Sequence, residues 1–312
     1  MKITAITATH NRRELLGQLF TSLVAQHYDE IEWIVVDDGG TDGTGEAVAE
    51  FERQARFEVR YCRLGNSGKG KAVNTGLGMA TGDLVCIVDD DDYFLPDVFA
   101  VVARDFATIA MNVKVAGLSY LTIDPTGKVW GKEFPRDRMI SDHFECRINQ
   151  RIWGDKFEFI KGNVLHENQI RYPESEMKGG FGGDTLFFLR IAEQYKTCYV
   201  NTPLLVKEYR EDGLSVNWRR KSLENPPLTA AYYAAHLNPR IRISIRFRYM
   251  IASVAIARYA GYKLAVPDTP APWNHLLFCL AYLPGVVIGS RWRGYKEGSF
   301  PQSRKWLRSN AG

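Results

Sequence analysis

The chain has 312 residues, 45% hydrophobic and 24% charged, so it is an ordinary globular sequence with apolar material for one large domain or two small ones. Five cysteines, odd in number and without C-x-x-C spacing, indicate neither a disulfide framework nor a zinc site and point to a reducing compartment. The net charge of +4 conceals an asymmetry: residues 240–312 hold twelve Lys/Arg against Asp268 and Glu297, a balance of +10 beside a body of −6, which suggests an anionic partner surface.

Lys2 to Thr7 opens directly as a strand without an apolar signal stretch, so a cytoplasmic location is expected. Strand-like runs at 2–8, 31–37, 57–64 and 84–89 alternate with helical patterns at 12–26, 43–55 and 70–80. This order predicts an α/β fold, a mostly parallel central sheet flanked by helices, with ligands bound beyond the carboxyl ends of the strands. Polar motifs fall at three of those ends: Thr9-His10-Asn11-Arg12, Asp37-Asp38-Gly39-Gly40-Thr41-Asp42, and Asp89 to Asp92. Segments 113–123 and 127–134 read as a hairpin around Asp124-Pro125-Thr126-Gly127. From 135 to 182 the pattern is irregular, broken by Pro135, Pro173 and Gly179-Gly180. Asp184 to Tyr195 then reads as a helix, and further helical stretches cover about 241–264 and 273–290.

Four consecutive carboxylates at the end of a buried strand repel one another and lose solvation, a cost that a metal or hydrogen-bond donors must offset. Hard oxygen ligands select Mg²⁺ or Mn²⁺, and Mg²⁺ leaves positions for water and substrate phosphates. Asp37 and Asp38 precede a Gly-Gly turn, where a carboxylate can accept from a base or from ribose hydroxyls while Asp42 or Thr41 caps the next helix. Gly65 to Ala72 fits the phosphate-loop pattern G-x-x-x-x-G-K, except that Ala72 replaces the metal-holding Ser or Thr. Its physical content is a Gly-rich turn into a helix, with Lys69 and Lys71 able to face a pyrophosphate. A solvated basic turn is the alternative.

Together these motifs resemble the nucleotide-sugar-binding half of the family 2 glycosyltransferases, which have the GT-A fold. Thr7 to Arg12 resembles the opening T-x-N-R signature, and Val36 to Thr44 the D-D-G-S-x-D-x-T signature. Asn66 to Leu77 is similar to N-x-G-x-x-x-A-x-N-x-G-L, and Asp89 to Asp92 with Pro96-Asp97 resembles the D-x-D metal motif with its following P-D. The resemblance implies Thr9, Asn11, Arg12, Asp38 and Asp90 as donor contacts, with Asp89 facing the ribose and joining Asp91 at the metal. Asp90 with Asp92 remains an alternative pair. Gly183-Asp184 to Arg190 resembles the E-D-x-x-x-x-x-R segment, which makes Asp184 the catalytic base. Gly183 replaces the usual Glu, so a helper carboxylate is missing or supplied elsewhere. Segments around Gly154-Asp155-Lys156 and 208–215 resemble bacterial members and would bring Lys156 or Arg210 to the diphosphate. Asp155, Glu174 and Glu176 are the other acids to consider as base, and Trp130, Trp153 and Phe181 are candidates for stacking on an acceptor.

The expected organisation is a donor-binding half at 1–100, an acceptor-binding and catalytic half at 101–215, and a basic, apolar helical extension at 216–312. Leu276 to Gly289 is uncharged but only fourteen residues long, with Pro284 inside and Arg291, Arg293 and Lys296 following, which favours interfacial binding to anionic lipid over a membrane span. Helices that simply cover the sheet are the alternative; nucleic acid fits poorly, because no binding motif accompanies the charge. The resemblance implies an inverting glycosyltransferase that uses a nucleoside diphosphate sugar, uridine-linked, with Mn²⁺ or Mg²⁺. Its acceptor would be a saccharide or lipid-linked saccharide at the inner membrane face, in cell-surface polysaccharide synthesis. A nucleotidyltransferase and a catalytically silent sugar-nucleotide-binding protein are the competing readings.

Overall fold

In the computed structural model, residues 1–175, 177, 182–208, 218–262 and 274–294 are described. The chain forms two compact units, one of Met1–Glu176 with Asp184–Glu208 and one of Met177–Gly183 with Tyr209–Gly312.

The first unit is built on a nine-stranded sheet. Its first half follows the alternation read from the sequence: β1 (Ile3–Thr9), α1 (Arg13–Val24), β2 (Ile31–Asp37), α2 (Thr44–Gln54), β3 (Glu58–Arg63), α3 (Lys69–Met79) and β4 (Leu84–Ile87). These strands lie in the order β3-β2-β1-β4, all parallel. Every residue of β2 is buried, as a strand covered on both faces requires, whereas β3 at the edge alternates with exposed positions. Leu16, Leu19, Phe20 and Leu23, spaced three and four apart on α1, pack with Trp33 and Val35 into one core layer. On the other face Ala72, Val73 and Leu77 of α3 meet Ile6, Ile34 and Val36. Gly76 lets α3 approach β1 closely, since a Cβ there would lie 2.3 Å from Ile6 Cγ2.

Beyond β4 the sheet is mixed rather than parallel. β5 (Asp92–Phe94), α4 (Val98–Ile109), β6 (Val115–Ile123), β7 (Met139–Ser141), β8 (Lys156–Lys161), α5 (Gly162–Glu167), α6 (Gly183–Ala192) and β9 (Lys196–Lys207) follow. β8 runs antiparallel between β4 and β6, β6 and β9 are parallel, and β5 and β7 each pair antiparallel with β9. The sequence alternation governs only strands joined by β-α-β crossovers; β8 enters after a long irregular excursion, and its direction is set by that path. Pro203 sits inside β9 where the register against β6 shifts, a place that tolerates its missing N–H. The expected turn at Asp124–Gly127 forms, with the Asp124 amide donating to Lys128 O at 2.9 Å. Its second arm is reduced to one bridge between Ile123 and Val129, because the chain turns through left-handed Gly131. The irregular 135–182 stretch contains β7, a short π-helix at Phe144–Asn149, β8 and α5.

The second unit contains α7 (Trp218–Glu224), α8 (Pro226–Ala235), α9 (Ile243–Ala260) and α10 (Asn274–Gly294). Asn225 caps α8 by accepting from the Leu228 amide, with Pro226 opening the helix. Gly261 in the left-handed conformation ends α9. Gly285 and Gly289 bring α10 against Val254 and Ala255 of α9.

Candidate active site

The carboxyl ends of β1, β2 and β4 lie side by side, so the loops that follow them meet at one edge of the sheet. Thr9 closes β1, and its hydroxyl donates to Asp90 Oδ2 at 2.7 Å. Asn11, at a left-handed φ of 54°, accepts from the Thr41 amide at 2.7 Å and ties the first loop to the second. Arg12 Nη1 donates to Asp90 Oδ1 at 3.1 Å and to Asp91 Oδ2 at 3.2 Å. Three motifs far apart in sequence therefore converge, as their places at strand ends predict.

The second loop divides its acids by role. Asp37 accepts from the Gly40 amide at 2.7 Å and the Tyr61 hydroxyl at 2.8 Å, and so shapes the turn. Asp42 accepts from the Thr44 amide and hydroxyl at 3.2 and 2.6 Å and from the Arg13 amide at 2.8 Å, but the N-cap of α2 is Gly43, so Asp42 braces the turn one residue before the helix instead of capping it. Asp38 accepts from the amides of Ser67 and Gly68. The Gly-rich turn is thus an anion nest, and the anion it holds is this chain's own carboxylate. The phosphate-loop pattern gives those N–H groups to a pyrophosphate; with Asp38 on them, the cationic group this turn presents in the cluster is Lys69. Lys71 is exposed.

The four consecutive aspartates alternate in exposure. Asp90 and Asp92 are 5% and 3% exposed, whereas the side chains of Asp89 and Asp91 retain 36% and 17%. Thr9 and Arg12 hold Asp90, and Lys207 at the end of β9 holds Asp92 at 3.1 Å. The accessible pair is therefore Asp89 and Asp91, the D-x-D register. Lys69 Nζ lies 2.7 Å from Asp89, and Lys207 reaches Asp89 at 3.5 Å and Asp155 at 3.8 Å. Burial pushes Asp92 up to about 8 against the opposing pull of Lys207. Burial and then the charge of Asp89 raise Asp91, with Arg12 opposing. Burial also acts to raise Asp89, yet Lys69 and Lys207 hold it below the usual carboxylate range. The repulsion left between two accessible carboxylates is what a hard divalent cation relieves. Among the described residues no group of three or more His, Cys, Asp or Glu side chains forms a metal cage. Carboxylate oxygens are the hard donors that Mg²⁺ or Mn²⁺ selects, so the chemistry of Asp89 and Asp91 suits such an ion.

Asp184 lies in the first turn of α6, where its Oδ1 accepts from the Tyr172 hydroxyl at 2.7 Å. Burial would lower Lys69, but Asp89 and then Asp184 hold it well above the ordinary lysine value, so one ammonium stands in the field of both acids. Glu158 of β8 accepts from Ser119 at 3.0 Å; burial pushes it up to about 7, with the charge of Asp184 adding to the effect. Glu158 is thus a described carboxyl in the field of Asp184, where Gly183 supplies none.

Lys156 points elsewhere. Its ammonium donates to Trp130 O at 3.3 Å and Asp155 O at 3.2 Å, lies over the Phe134 ring, and is lowered by burial to about 7. Its neighbour Asp155, rather than Lys156, joins the acidic cluster through Lys207. Gly131 and Gly154 pass back to back, so that a Cβ on either would lie 2.2 Å from Trp153 O or 2.4 Å from Trp130 O, which places the two tryptophans on adjoining segments. Glu174 accepts from Asn74 at 2.6 Å. Arg210, Phe181, Glu176 and the 209–215 segment lie outside the described residues. Lys207, Tyr172 and Glu158 are not singled out by the sequence; tertiary pairing brings them in.

Fold and site together define an α/β protein that gathers acidic and basic groups where parallel strands end. Residues 4–164, just over half of the chain, match the family described as Glycosyl transferase family 2, and the chain belongs to that family. It is 38% identical over 235 residues to glycosyltransferase GlyA of Streptococcus pneumoniae, covering 70% of this chain and 32% of that protein. It is 30% identical over 199 residues to the poly(ribitol-phosphate) beta-N-acetylglucosaminyltransferase TarS of Staphylococcus aureus, covering 61% of this chain and 32% of TarS. The chain thus spans about a third of the length of these relatives. Among solved structures, S. aureus TarS 1–349 in complex with UDP-GlcNAc superposes with a TM-score of 0.61 at 17% identity, covering 96% of this chain and 94% of that one. The mannosyltransferase PcManGT of Pyrobaculum calidifontis, in complex with GDP-Man and Mn2+, gives 0.52 at 20% identity, covering 99% and 79%. The fold is GT-A.

Proposed function

We propose that this chain is an inverting glycosyltransferase that moves a sugar from a nucleoside diphosphate sugar to a hydroxyl of a saccharide or lipid-linked saccharide in cell-surface polysaccharide synthesis. The observation that carries this reading is Lys69, which bonds the accessible Asp89 and stands in the field of Asp184, joining a donor-side acid to a candidate base. Asp38 fixes the turn that presents Lys69, and Arg12 with Lys207 orders the aspartates. Asp89 and Asp91 are the residues that would hold Mn²⁺ or Mg²⁺, whose contribution there is to offset charge on the departing diphosphate. Asp184 takes the proton of the acceptor hydroxyl as that oxygen attacks the anomeric carbon, and a single displacement inverts the configuration. The relatives named as acting on poly(ribitol-phosphate) or bound to UDP-GlcNAc support a uridine-linked donor and a polymeric acceptor.

The second unit supports an acceptor on a membrane. Leu276, Leu280, Leu283 and Val287, spaced four, three and four apart, leave an apolar face of α10 exposed by 51, 58, 72 and 52%. Residues 225–262 and 274–294 carry seven arginines and no Asp or Glu, which suits an anionic bilayer rather than a second copy of the same basic surface. α10 runs through Pro284 for 21 residues, longer than the fourteen-residue apolar run alone, and is long and apolar enough to cross a membrane. We read it as a helix seated in the inner-face interface.

Mass spectrometry of products from a panel of nucleotide sugars with membrane extract tests the activity. A glycosylated product with release of nucleoside diphosphate is expected. Pyrophosphate release from a nucleoside triphosphate would make the chain a nucleotidyltransferase, and donor binding without turnover would make it a binding protein.

A further inference from the structure

The Asn66–Leu77 motif contains Asn74, which reaches Tyr172, nearly a hundred residues along the chain. Asn74 Oδ1 accepts from the Tyr172 amide at 2.8 Å, and Nδ2 donates to Tyr172 O at 2.9 Å. One side-chain amide thus holds the backbone of Tyr172 as a neighbouring strand would, from both its donor and its acceptor. One turn earlier on α3, a Cβ on Gly70 would stand 2.3 Å from Pro173 O, so the helix comes directly against this segment. The Tyr172 ring is buried, with its centroid 5.8 Å from that of Phe187 on α6, and its hydroxyl ends on Asp184 Oδ1. Burial and the charge of Asp184 raise the phenol well above its ordinary value, so the hydroxyl stays protonated and donates throughout the working pH range.

We propose that Tyr172 is a positioning residue for Asp184: its hydroxyl fixes Oδ1, so that Oδ2 is the oxygen presented to the acceptor, while Asn74 and Gly70 of α3 set where Tyr172 stands. The inference rests on the reading of Asp184 as base. It also gives Asn74 and Gly70 a purpose, since the helix that presents Lys69 on the donor side anchors the base on the acceptor side.

Tyr172→Phe keeps the ring and its packing and removes only the hydroxyl. With UDP-GlcNAc and membrane extract as the transfer pair and UDP as the binding probe, we expect kcat to fall by about tenfold, while the donor KM and the UDP dissociation constant stay within about twofold. Asn74→Ala should lower kcat similarly and add little to Tyr172→Phe, because both act through one hydroxyl. In an Asp184→Asn background, Tyr172→Phe should leave the residual rate unchanged within about twofold. Wild-type kcat in Tyr172→Phe, or an undiminished tenfold loss in the Asp184→Asn background, overturns the positioning role. Wild-type turnover in Asp184→Asn itself overturns the base assignment instead, so the two failures are read separately. If Asn74→Ala lowers the melting temperature, Tyr172→Phe, whose fold is checked the same way, decides alone.

Discussion

Acidification should weaken the second unit through one histidine. His236 follows α8 and is 2% exposed; its Nδ1–H donates to Tyr232 O at 2.7 Å, and its ring stacks 3.9 Å from that of Tyr249. Burial pushes its pKa down to about 4, with the Tyr232 carbonyl opposing, against an ordinary value of 6.5. Between those two pH values the unfolded chain carries a proton that the folded one excludes. This contribution to stability is therefore complete above pH 6.5 and is lost as pH falls toward 4. At about 1.4 kcal/mol per unit, the loss is about 2 kcal/mol at pH 5 and about 3 kcal/mol at pH 4. Carboxylates titrate over the same range, so the measurement is a difference: urea unfolding of wild type and His236→Gln at pH 7 and pH 5. Wild type should lose about 2 kcal/mol more than the variant. An equal loss in both proteins would refute the buried neutral imidazole.

Asp91→Asn should remove the Mn²⁺ dependence of UDP binding and leave the fold intact, as read by calorimetry and circular dichroism; unchanged metal-dependent affinity would move the metal to another aspartate. The chain should sediment with anionic vesicles and be released as salt screens the attraction, and Leu280→Glu with Leu283→Glu should weaken that binding; equal binding to neutral vesicles would remove the electrostatic part of the membrane reading. Glu32 is fully buried at the amino ends of the strands, where Thr4, Thr81, Lys2 and Arg60 surround its carboxylate. Glu32→Ala leaves buried donors without an acceptor and should cost about 3–5 kcal/mol in denaturant unfolding, with kcat of the folded protein unchanged because the site lies at the opposite ends of β1 and β2.

The first hundred residues were legible because there local pattern and tertiary structure obey the same rule. A buried apolar run followed by an amphipathic helix must cross over and return parallel, and that fixes the parallel direction of β1 to β4 and the place of Thr9, Asp38 and Asp89 at or beyond their carboxyl ends. Short-range chemistry also sufficed for the turn at Asp124. The sequence could name four adjacent aspartates, but not which pair stays accessible, since that depends on Thr9, Arg12 and Lys207 arriving from three other segments. Nor could it show that Asp38 fills the anion nest at Ser67 and Gly68, because the pattern of a phosphate loop is the same whichever anion occupies it. β8 and β9 carry Glu158 and Lys207 into the site through long-range pairing that no local period encodes, and Asn74 meets Tyr172 only once α3 is packed on the sheet. Periodicity determines which residues turn inward; which inward-facing polar groups become neighbours is decided by the path of the chain between them.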